Sequence, residues 1–163
     1  PGLGIIDSRS VKSSHHVDTD RGIDGDKRIK GRKEHIVFDT WASYERGGYE
    51  ANVHDSVGAD GVIDKMKGAS PIGKDALADG GYIGRKLADT VRQKLGAEFT
   101  VVLHPDESPK KFSVLPLRCI VERSFSWLEN FRRIAIDHEF YSDTGEAKVQ
   151  PAFCRLMYNK LCD

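Results

Sequence analysis

Two short apolar segments that each end in an aspartate limit the possible folds of this chain more than any other feature. Two isoleucines precede Asp7, and an Ala-Leu-Ala run precedes Asp79, which is followed by two glycines. Short runs rich in β-branched residues, or bounded by glycine turns, predict strands. A carboxylate that ends a strand beside a glycine turn can face an open crevice at the edge of a sheet. The sequence therefore predicts a sheet with two acids at one edge.

The rest of the chain predicts an alternation of strands and helices. Residues 84–95 have apolar side chains four apart and are followed by Gly96, as in an amphipathic helix with a glycine stop. Pro116 lies where a helix tolerates proline, in its first turn. This alternation predicts an α/β fold with a mixed sheet. Strands are predicted at 4–11, 33–40, 75–79 and 98–103, a loop or hairpin tip at 15–26, and helices at 56–67, 84–95, from 116 onward and at 145–161.

Residues 41–50 do not fit this alternation. Their sequence, WASYERGGYE, is polar and contains two adjacent glycines. A buried strand needs apolar side chains and avoids glycine. The segment is therefore predicted to be an edge strand, a bulge or a disordered loop, and a degenerate gene copy would also produce it.

Length and composition predict one folded domain over residues 1–163. The chain is 39% hydrophobic and 31% charged, as globular proteins are. No apolar run is long enough to span a bilayer, so no membrane partner is expected. Three cysteines without CxxC spacing argue against a zinc site or a disulfide framework, which favours a cytoplasmic location. The start lacks an initiator Met and a secretion signal, so we expect that an N-terminal part is absent.

A third acid, Glu122, lies at the margin of the apolar face of the helix that begins at Pro116. An ionisable side chain in that position needs a partner or a metal ion to offset lost solvation. Each acid also has a purely structural interpretation. An aspartate before two glycines is common in turns, and Glu122 can pair with Arg118 one helical turn earlier.

Several longer motifs, in their order along the chain, resemble one protein family. The stretches are IIDSRSVKSS, KRIKGRKEHIVFDT, ANVHDS, LADGGYIG and LPLRCIVERSFSWLENFRRI. They are similar to the successive signatures of the DDE transposases of bacterial insertion sequences, most of all to the insertion sequence family five group. The resemblance extends over nearly the whole chain.

This resemblance implies a ribonuclease-H-like fold with Asp7, Asp79 and Glu122 as the catalytic, metal-binding triad. The implied cofactor is Mg²⁺, for which Mn²⁺ can substitute. Phosphodiester cleavage needs an activated water and stabilisation of the leaving oxygen, and two Mg²⁺ ions about 3.5–4 Å apart provide both. Mg²⁺ prefers oxygen ligands, so three acids without a Cys/His cluster suit it.

The net charge is zero, so DNA contact is predicted from local clusters of basic residues. The resemblance implies that Arg118 orients Glu122 or touches a phosphate. Relatives have a basic residue about seven positions after the glutamate, where this chain has Glu129, and Arg132 and Arg133 are possible substitutes. A solvated loop is the alternative for the basic cluster before residue 34. The predicted DNA-binding residues are Lys27, Arg28, Lys30, Arg32, Lys33, Arg118, Arg132 and Arg133.

The function implied by the resemblance is transposition, with metal-dependent endonuclease cleavage at transposon ends and strand transfer into target DNA. The expected partners are DNA and further copies of the chain in a homo-oligomer, with a nucleoid-associated location in the cytoplasm. The alternative is a catalytically decayed or co-opted domain that binds DNA or protein. A stand-alone ribonuclease-H-like nuclease is a third, weaker possibility.

Overall fold

The computed structural model describes residues 3–17, 19–39, 43–66, 73–102 and 116–162, and all structural statements refer to these. Strands and helices alternate along the chain, with one turn of 3₁₀ helix at Gly80–Tyr82. The strands are β1 (Leu3–Lys12), β2 (Gly22–Asp24), β3 (Ile29–Asp39), β4 (Ser43–Glu50), β5 (Asp75–Ala78) and β6 (Glu98–Val101). The helices are α1 (Asp55–Met66), α2 (Arg85–Leu95), α3 (Pro116–Glu129), α4 (Arg132–Ala135) and α5 (Ser142–Cys162).

All six strands form one mixed sheet. Its order is β2-β3-β1-β5-β6, and β4 also pairs with β3. Strands β1 and β3 are antiparallel over nine residue pairs, whereas β5 lies parallel to both β1 and β6. A mixed sheet with helices against it confirms the predicted α/β class and has the arrangement of a ribonuclease-H-like fold.

The alternation of side chains along β1 separates two hydrophobic cores. Ile6 faces one core, in which it packs with Val62 of α1 and Val91 of α2. Ile5 faces the other core, in which it packs with residues of α3 and α5. Because successive strand residues point to opposite faces, Asp7 and Arg9 lie on the same face as Ile5. The strand pattern thus decides which helices lie near each charged residue. We call the two sides the α1–α2 face and the α3–α5 face.

The unusual segment 41–50 forms strand β4 from Ser43 onward. Within the described part of the chain, β4 pairs with β3 alone, and the register shifts between Val37 and Phe38 of β3. Of the predicted possibilities, the edge strand with an irregularity is therefore observed. An edge strand needs hydrogen bonds on only one side, which permits a sequence that a central strand would not tolerate.

Most predicted elements are confirmed with shifts of a few residues at their ends. The helix predicted at 84–95 is α2, the helix from Pro116 is α3, and the final helix begins three residues earlier than predicted. Strand β3 begins four residues earlier than predicted, because the segment that returns from β2 pairs as a hairpin. None of the helices in the described ranges combines the length and apolar content that a membrane crossing requires.

Candidate active site

Asp7 and Asp79 lie side by side on neighbouring parallel strands. The last residues that β1 and β5 pair with each other are Ile6 and Ala78. Asp7 is the next residue of β1, and Asp79 directly follows β5. Ile6 and Ala78 both point into the core on the α1–α2 face. By alternation, Asp7 is directed to the α3–α5 face, whereas the Asp79 carboxylate accepts the Gly81 N–H in the turn that follows β5. The structure therefore brings together two acids that are remote in sequence, at the point where β5 ends and β1 continues.

The Asp7 carboxyl is partly buried among like charges. Burial raises its pKa to about 7, and the nearby charges of Asp79 and Asp55 act in the same direction. The Ser8 backbone N–H donates to Asp7 Oδ1 at 2.7 Å, and this hydrogen bond and the Lys27 ammonium oppose the rise in pKa. Among the described residues, neither Asp7 nor Asp79 forms a salt bridge. A carboxylate in such surroundings is destabilised in its charged form and would be stabilised by a cation.

Asp79 also has the structural role that the alternative interpretation assigned to it. Its Oδ1 accepts the Gly81 N–H at 2.9 Å and so caps the 3₁₀ turn. The residue is exposed, as expected at the mouth of a crevice. Turn chemistry and site chemistry are compatible here, because the hydrogen bond holds the carboxylate in a fixed place.

Asp55 is a third acid at this site, and the sequence analysis did not identify it. It lies in the first turn of α1, where its Oδ1 accepts the Ser8 hydroxyl at 2.9 Å and lies 3.1 Å from Lys33 Nζ. Its Oδ2 and Asp79 Oδ1 both lie beside Gly81, where an added Cβ would be 2.9 Å and 3.2 Å from them. The motif ANVHDS contains Asp55, but only the fold shows that this acid lies next to β1 and β5.

Buried ring side chains form the floor of the site. Tyr82, which follows the Asp79 turn, is fully buried, and its hydroxyl is 3.2 Å from His35 Nδ1 on β3. Burial lowers the pKa of His35 to about 4 and raises the pKa of Tyr82 well above its usual range. Both rings therefore remain uncharged near neutral pH, and they support the acids from the α1–α2 face.

Glu122 lies on α3, the helix that covers the α3–α5 face. The Phe125 ring, one turn further along α3, is 5.3 Å from the Phe38 ring and 5.7 Å from the Arg9 guanidinium. Phe38 pairs with Ile5, so α3 crosses β1 between Ile5 and Arg9, at the level of Asp7. Glu122 itself is exposed. Within the described ranges, no three Asp, Glu, His or Cys side chains are grouped closely enough to hold one metal ion.

One predicted DNA contact is wrong. Arg32 is 1% exposed, and its guanidinium donates to Asp137 Oδ2, to the Glu139 and Phe140 carbonyls and to Thr19. It points inward because even-numbered residues of β3 face the α3–α5 core, a consequence of strand alternation that a count of basic residues ignores. Arg32 therefore stabilises the fold and is not available to a phosphate.

The other predicted basic residues differ in position. Lys33 is half-buried and engaged with Asp55 and the Val53 carbonyl, so it belongs to the acid site. The Arg118 side chain lies outside the described residues. Phe125 packs against the core on the α3–α5 face, and the Arg123 guanidinium stacks on the Trp127 ring. The exposed members of the basic set are Lys27, Arg28 and Lys30 in the β2–β3 hairpin and Arg132 and Arg133 in α4.

Comparison with known proteins identifies the family. A family model described as the transposase DDE domain matches residues 1–144. The chain belongs to the transposase DDE domain family. The match confirms the family that the motifs resemble, without assigning the insertion sequence group. No curated protein matches the chain.

Among solved structures, the chain is similar to a piggyBac transposase in a synaptic complex with hairpin DNA, determined by cryo-EM. The sequences are 14% identical, and the TM-score is 0.42. The similarity covers 71% of this chain and 27% of the piggyBac chain, so this transposase domain spans about a quarter of that protein's length.

The residues of this DDE domain suit a hard divalent cation. Magnesium is typically bound by one or two carboxylates, with waters and phosphate oxygens in the other positions. Asp7 and Asp79 supply two neighbouring carboxylates, and burial raises the pKa of Asp7 although Lys27 acts in the opposite direction. The pair thus meets the minimum requirement for Mg²⁺, and further ligands must come from the nucleic acid, from water or from Glu122.

Proposed function

We propose that this chain is the catalytic domain of a DNA transposase, with Asp7 and Asp79 as its central metal-binding acids. The supporting observation is the adjacency of these aspartates on parallel strands, with the Asp7 carboxyl partly buried beside like charges. Glu122 is assigned as the third acid because of the family resemblance and because its helix crosses the same face at the level of Asp7. We also propose Mg²⁺ as the cation, and a homo-oligomer, close to the nucleoid, as the active form.

Divalent cations bound by these acids would activate a water and stabilise the leaving 3′-oxygen at the scissile phosphate. The surrounding protein groups would hold the acids and the DNA in place. The Ser8 amide and the Gly81 amide each hold one aspartate by a hydrogen bond to Oδ1. The exposed hairpin residues Lys27, Arg28 and Lys30 attract the DNA backbone, and the field of Lys27 reaches Asp7. The proposed reaction is hydrolysis at transposon ends, followed by attack of the freed 3′-hydroxyl on target DNA.

A second candidate function is DNA or protein binding without turnover. The observation that favours it is the position of Glu122, which is not grouped with the aspartates among the described residues. In this case the domain would bind DNA through the hairpin, and both aspartates would be dispensable for the interaction.

Nicking of supercoiled plasmid DNA distinguishes these functions. We expect Mg²⁺- or Mn²⁺-dependent nicking by the wild-type domain and none by Asp79→Asn, which retains the size of the side chain. The matched control is Asp89→Asn, an exposed aspartate of α2 that should nick normally. Equal nicking by wild type and Asp79→Asn would contradict catalysis at this site. DNA binding by both proteins without nicking would support the binding module.

A further inference from the structure

The carboxylate of Asp55 links three elements that meet at the acid site. One oxygen, Oδ1, accepts the Ser8 hydroxyl at 2.9 Å and lies 3.1 Å from Lys33 Nζ. The other oxygen, Oδ2, lies on the Gly81 side, toward Asp79. Ser8 follows Asp7 on β1, Lys33 belongs to β3, and Gly81 belongs to the turn after β5.

The Lys33 ammonium would oppose metal binding if it were not neutralised. Lys33 is half-buried, with 12% of its side chain exposed, so its charge is only weakly screened by water. Asp55 pairs with it directly, and the Val53 carbonyl accepts a hydrogen bond from the same Nζ at 3.1 Å. Asp55 therefore supplies the countercharge that Lys33 needs beside the acid site.

Gly81 allows the two carboxylates to lie on either side of the turn. A Cβ there would lie 2.9 Å from Asp55 Oδ2, which is closer than Cβ atoms approach other atoms. The absence of a side chain at this position leaves room for the Asp55 carboxylate beside the turn. On its other side, this carboxylate is held by the Ser8 hydroxyl and the Lys33 ammonium.

We propose that Asp55 is a positioning residue that fixes Ser8 and neutralises Lys33, so that Asp7 and Asp79 present a negative, correctly placed pair of carboxylates to a divalent cation. This inference rests on the proposed function, because it assigns a role toward the same cation. Asp55 acts through Ser8 and Lys33 and is not itself assigned as a metal ligand.

Charge rescue tests the proposal in the DNA-free protein. We would titrate Mn²⁺ by calorimetry into wild type, Asp55→Asn, Lys33→Met and the double variant. Asp55→Asn should weaken Mn²⁺ binding roughly 10-fold or more, as expected for a residue that supports a ligand. The double variant should recover most of the affinity, because Met fills the space of Lys33 without its charge. Weakening that Lys33→Met does not relieve would overturn the proposed neutralisation.

The matched control is Asp60→Asn on the same helix. Asp60 also pairs with a lysine, Lys86, and its side chain is 29% exposed, against 27% for Asp55. We expect unchanged Mn²⁺ affinity in this variant. An equal loss of affinity in Asp60→Asn and Asp55→Asn would show that any charge change on α1 has the same effect, and would overturn the specific role of Asp55.

A metal-free measurement separates failure of this proposal from failure of the proposed function. The Ser8 amide donates to Asp7 Oδ1, so its ¹H–¹⁵N chemical shift reports the position of the Asp7 carboxylate. We expect this shift to change in Asp55→Ala, which loses both contacts, and to stay constant in Asp60→Asn, while the remaining spectrum shows that the fold is retained. If wild type binds no Mn²⁺, the proposed function fails, and the Ser8 shift alone decides positioning. An unchanged Ser8 chemical shift in Asp55→Ala would overturn the proposed positioning role of Asp55.

Discussion

Asp7 and the neighbouring ion pairs of Arg9 and Arg32 lie on the same face of β1 and β3 but differ in how charge is compensated. Asp7 and Asp79 form no salt bridge among the described residues, and burial raises the pKa of Asp7 to about 7. Two residues further along β1, Arg9 is bonded to Glu34 at 3.0 Å. Beyond it, Arg32 is bonded to Asp137 at 2.9 Å.

This difference separates acids that stabilise the fold from acids that are available to a ligand. A buried charge that has its own counterion in the fold needs nothing from solution. A partly buried carboxylate that lies among like charges and has no salt bridge is stabilised further by a proton or by a cation from solution. The comparison therefore supports the proposed function of the Asp7 region and a structural role for the Arg9–Arg32 region, although both are rich in charged residues.

The largest expected effect is the loss of catalytic activity in the Asp7→Asn variant. Loss of a metal-binding carboxylate should lower the nicking rate on the order of 10⁴-fold, a loss typical of removing an essential catalytic group. Plasmid nicking with Mn²⁺ measures it, and Asp89→Asn is again the control. Retained nicking by the Asp7→Asn variant would contradict the proposed catalytic role of Asp7.

The same variant should be more stable than wild type at neutral pH. The folded-state pKa of Asp7 is raised from 3.8 to about 7, so its contribution to stability is greatest below pH 4 and is lost as pH rises to 7. At about 1.4 kcal/mol per pKa unit, Asp7→Asn should gain up to roughly 4 kcal/mol above pH 7 and nothing near pH 4. Urea unfolding with EDTA at several pH values measures the difference. A gain in stability that did not depend on pH would contradict the raised pKa of Asp7.

Removal of a charged partner from the Arg32–Asp137 ion pair should lower stability, the opposite of the gain expected for Asp7→Asn. Arg32→Met leaves the Asp137 carboxylate buried without its guanidinium partner, which should lower the free energy of unfolding by about 3–5 kcal/mol. The double variant Arg32→Met/Asp137→Asn should recover part of this loss. Lys86→Met, which breaks a pair at the exposed Lys86, should change stability by less than about 1 kcal/mol. Urea midpoints measure all three. A stable Arg32→Met would show that the pair region is dispensable for the fold.

A smaller effect is expected from Gly81→Ala. The added Cβ would contact Asp55 Oδ2 and Asp79 Oδ1, so the two carboxylates must move apart. We expect about 10-fold weaker Mn²⁺ binding by calorimetry and little change in stability, because no core side chain is displaced. Gly84→Ala, where an added Cβ meets nothing within 4 Å, is the control. Equal Mn²⁺ affinity in both variants would show that the spacing of these carboxylates is unimportant.

The smallest effect is expected at the hairpin. Lys30→Gln should weaken DNA binding slightly and reduce the slope of log affinity against log salt by about 1, the effect of one lost phosphate contact. Lys74→Gln, an exposed lysine just before β5, should leave the slope unchanged. Fluorescence anisotropy at several salt concentrations measures both slopes. Equal slopes in the two variants would favour the alternative interpretation, in which the basic hairpin is a solvated loop that does not contact DNA.

The sequence predicted the fold well because most of its elements have local patterns. The apolar run before Asp7, the amphipathic spacing of α2 and the glycine that ends it are all visible within a dozen residues. The adjacency of Asp7 and Asp79 required one further step, the pairing of β1 with β5, which joins residues far apart in the chain. Strand β4 was ambiguous because its pairing with β3 does not depend on an apolar sequence.

The errors concern contacts between residues far apart in the chain. Arg32 belongs to a cluster of basic residues that is typical of DNA binding. Its partners Asp137 and Phe140, however, are more than a hundred residues away in the chain. Asp55 was missed for the same reason, because its contacts with Ser8 and Gly81 arise only when α1 packs beside β1 and β5. A count of charges cannot distinguish a basic residue that faces solvent from one that faces a buried acid.

Strand β4 has a consequence for behaviour at high concentration. A regular terminal strand exposes backbone amides and carbonyls that a second molecule can use to extend the sheet, which leads to aggregation. Here the outermost strand contains Glu45, Arg46 and two glycines, and its partner β3 has a register shift near its end. Such charged, irregular strands resist extension. A sequence that is unfavourable for a buried strand is therefore well suited to keep neighbouring copies from joining edge to edge.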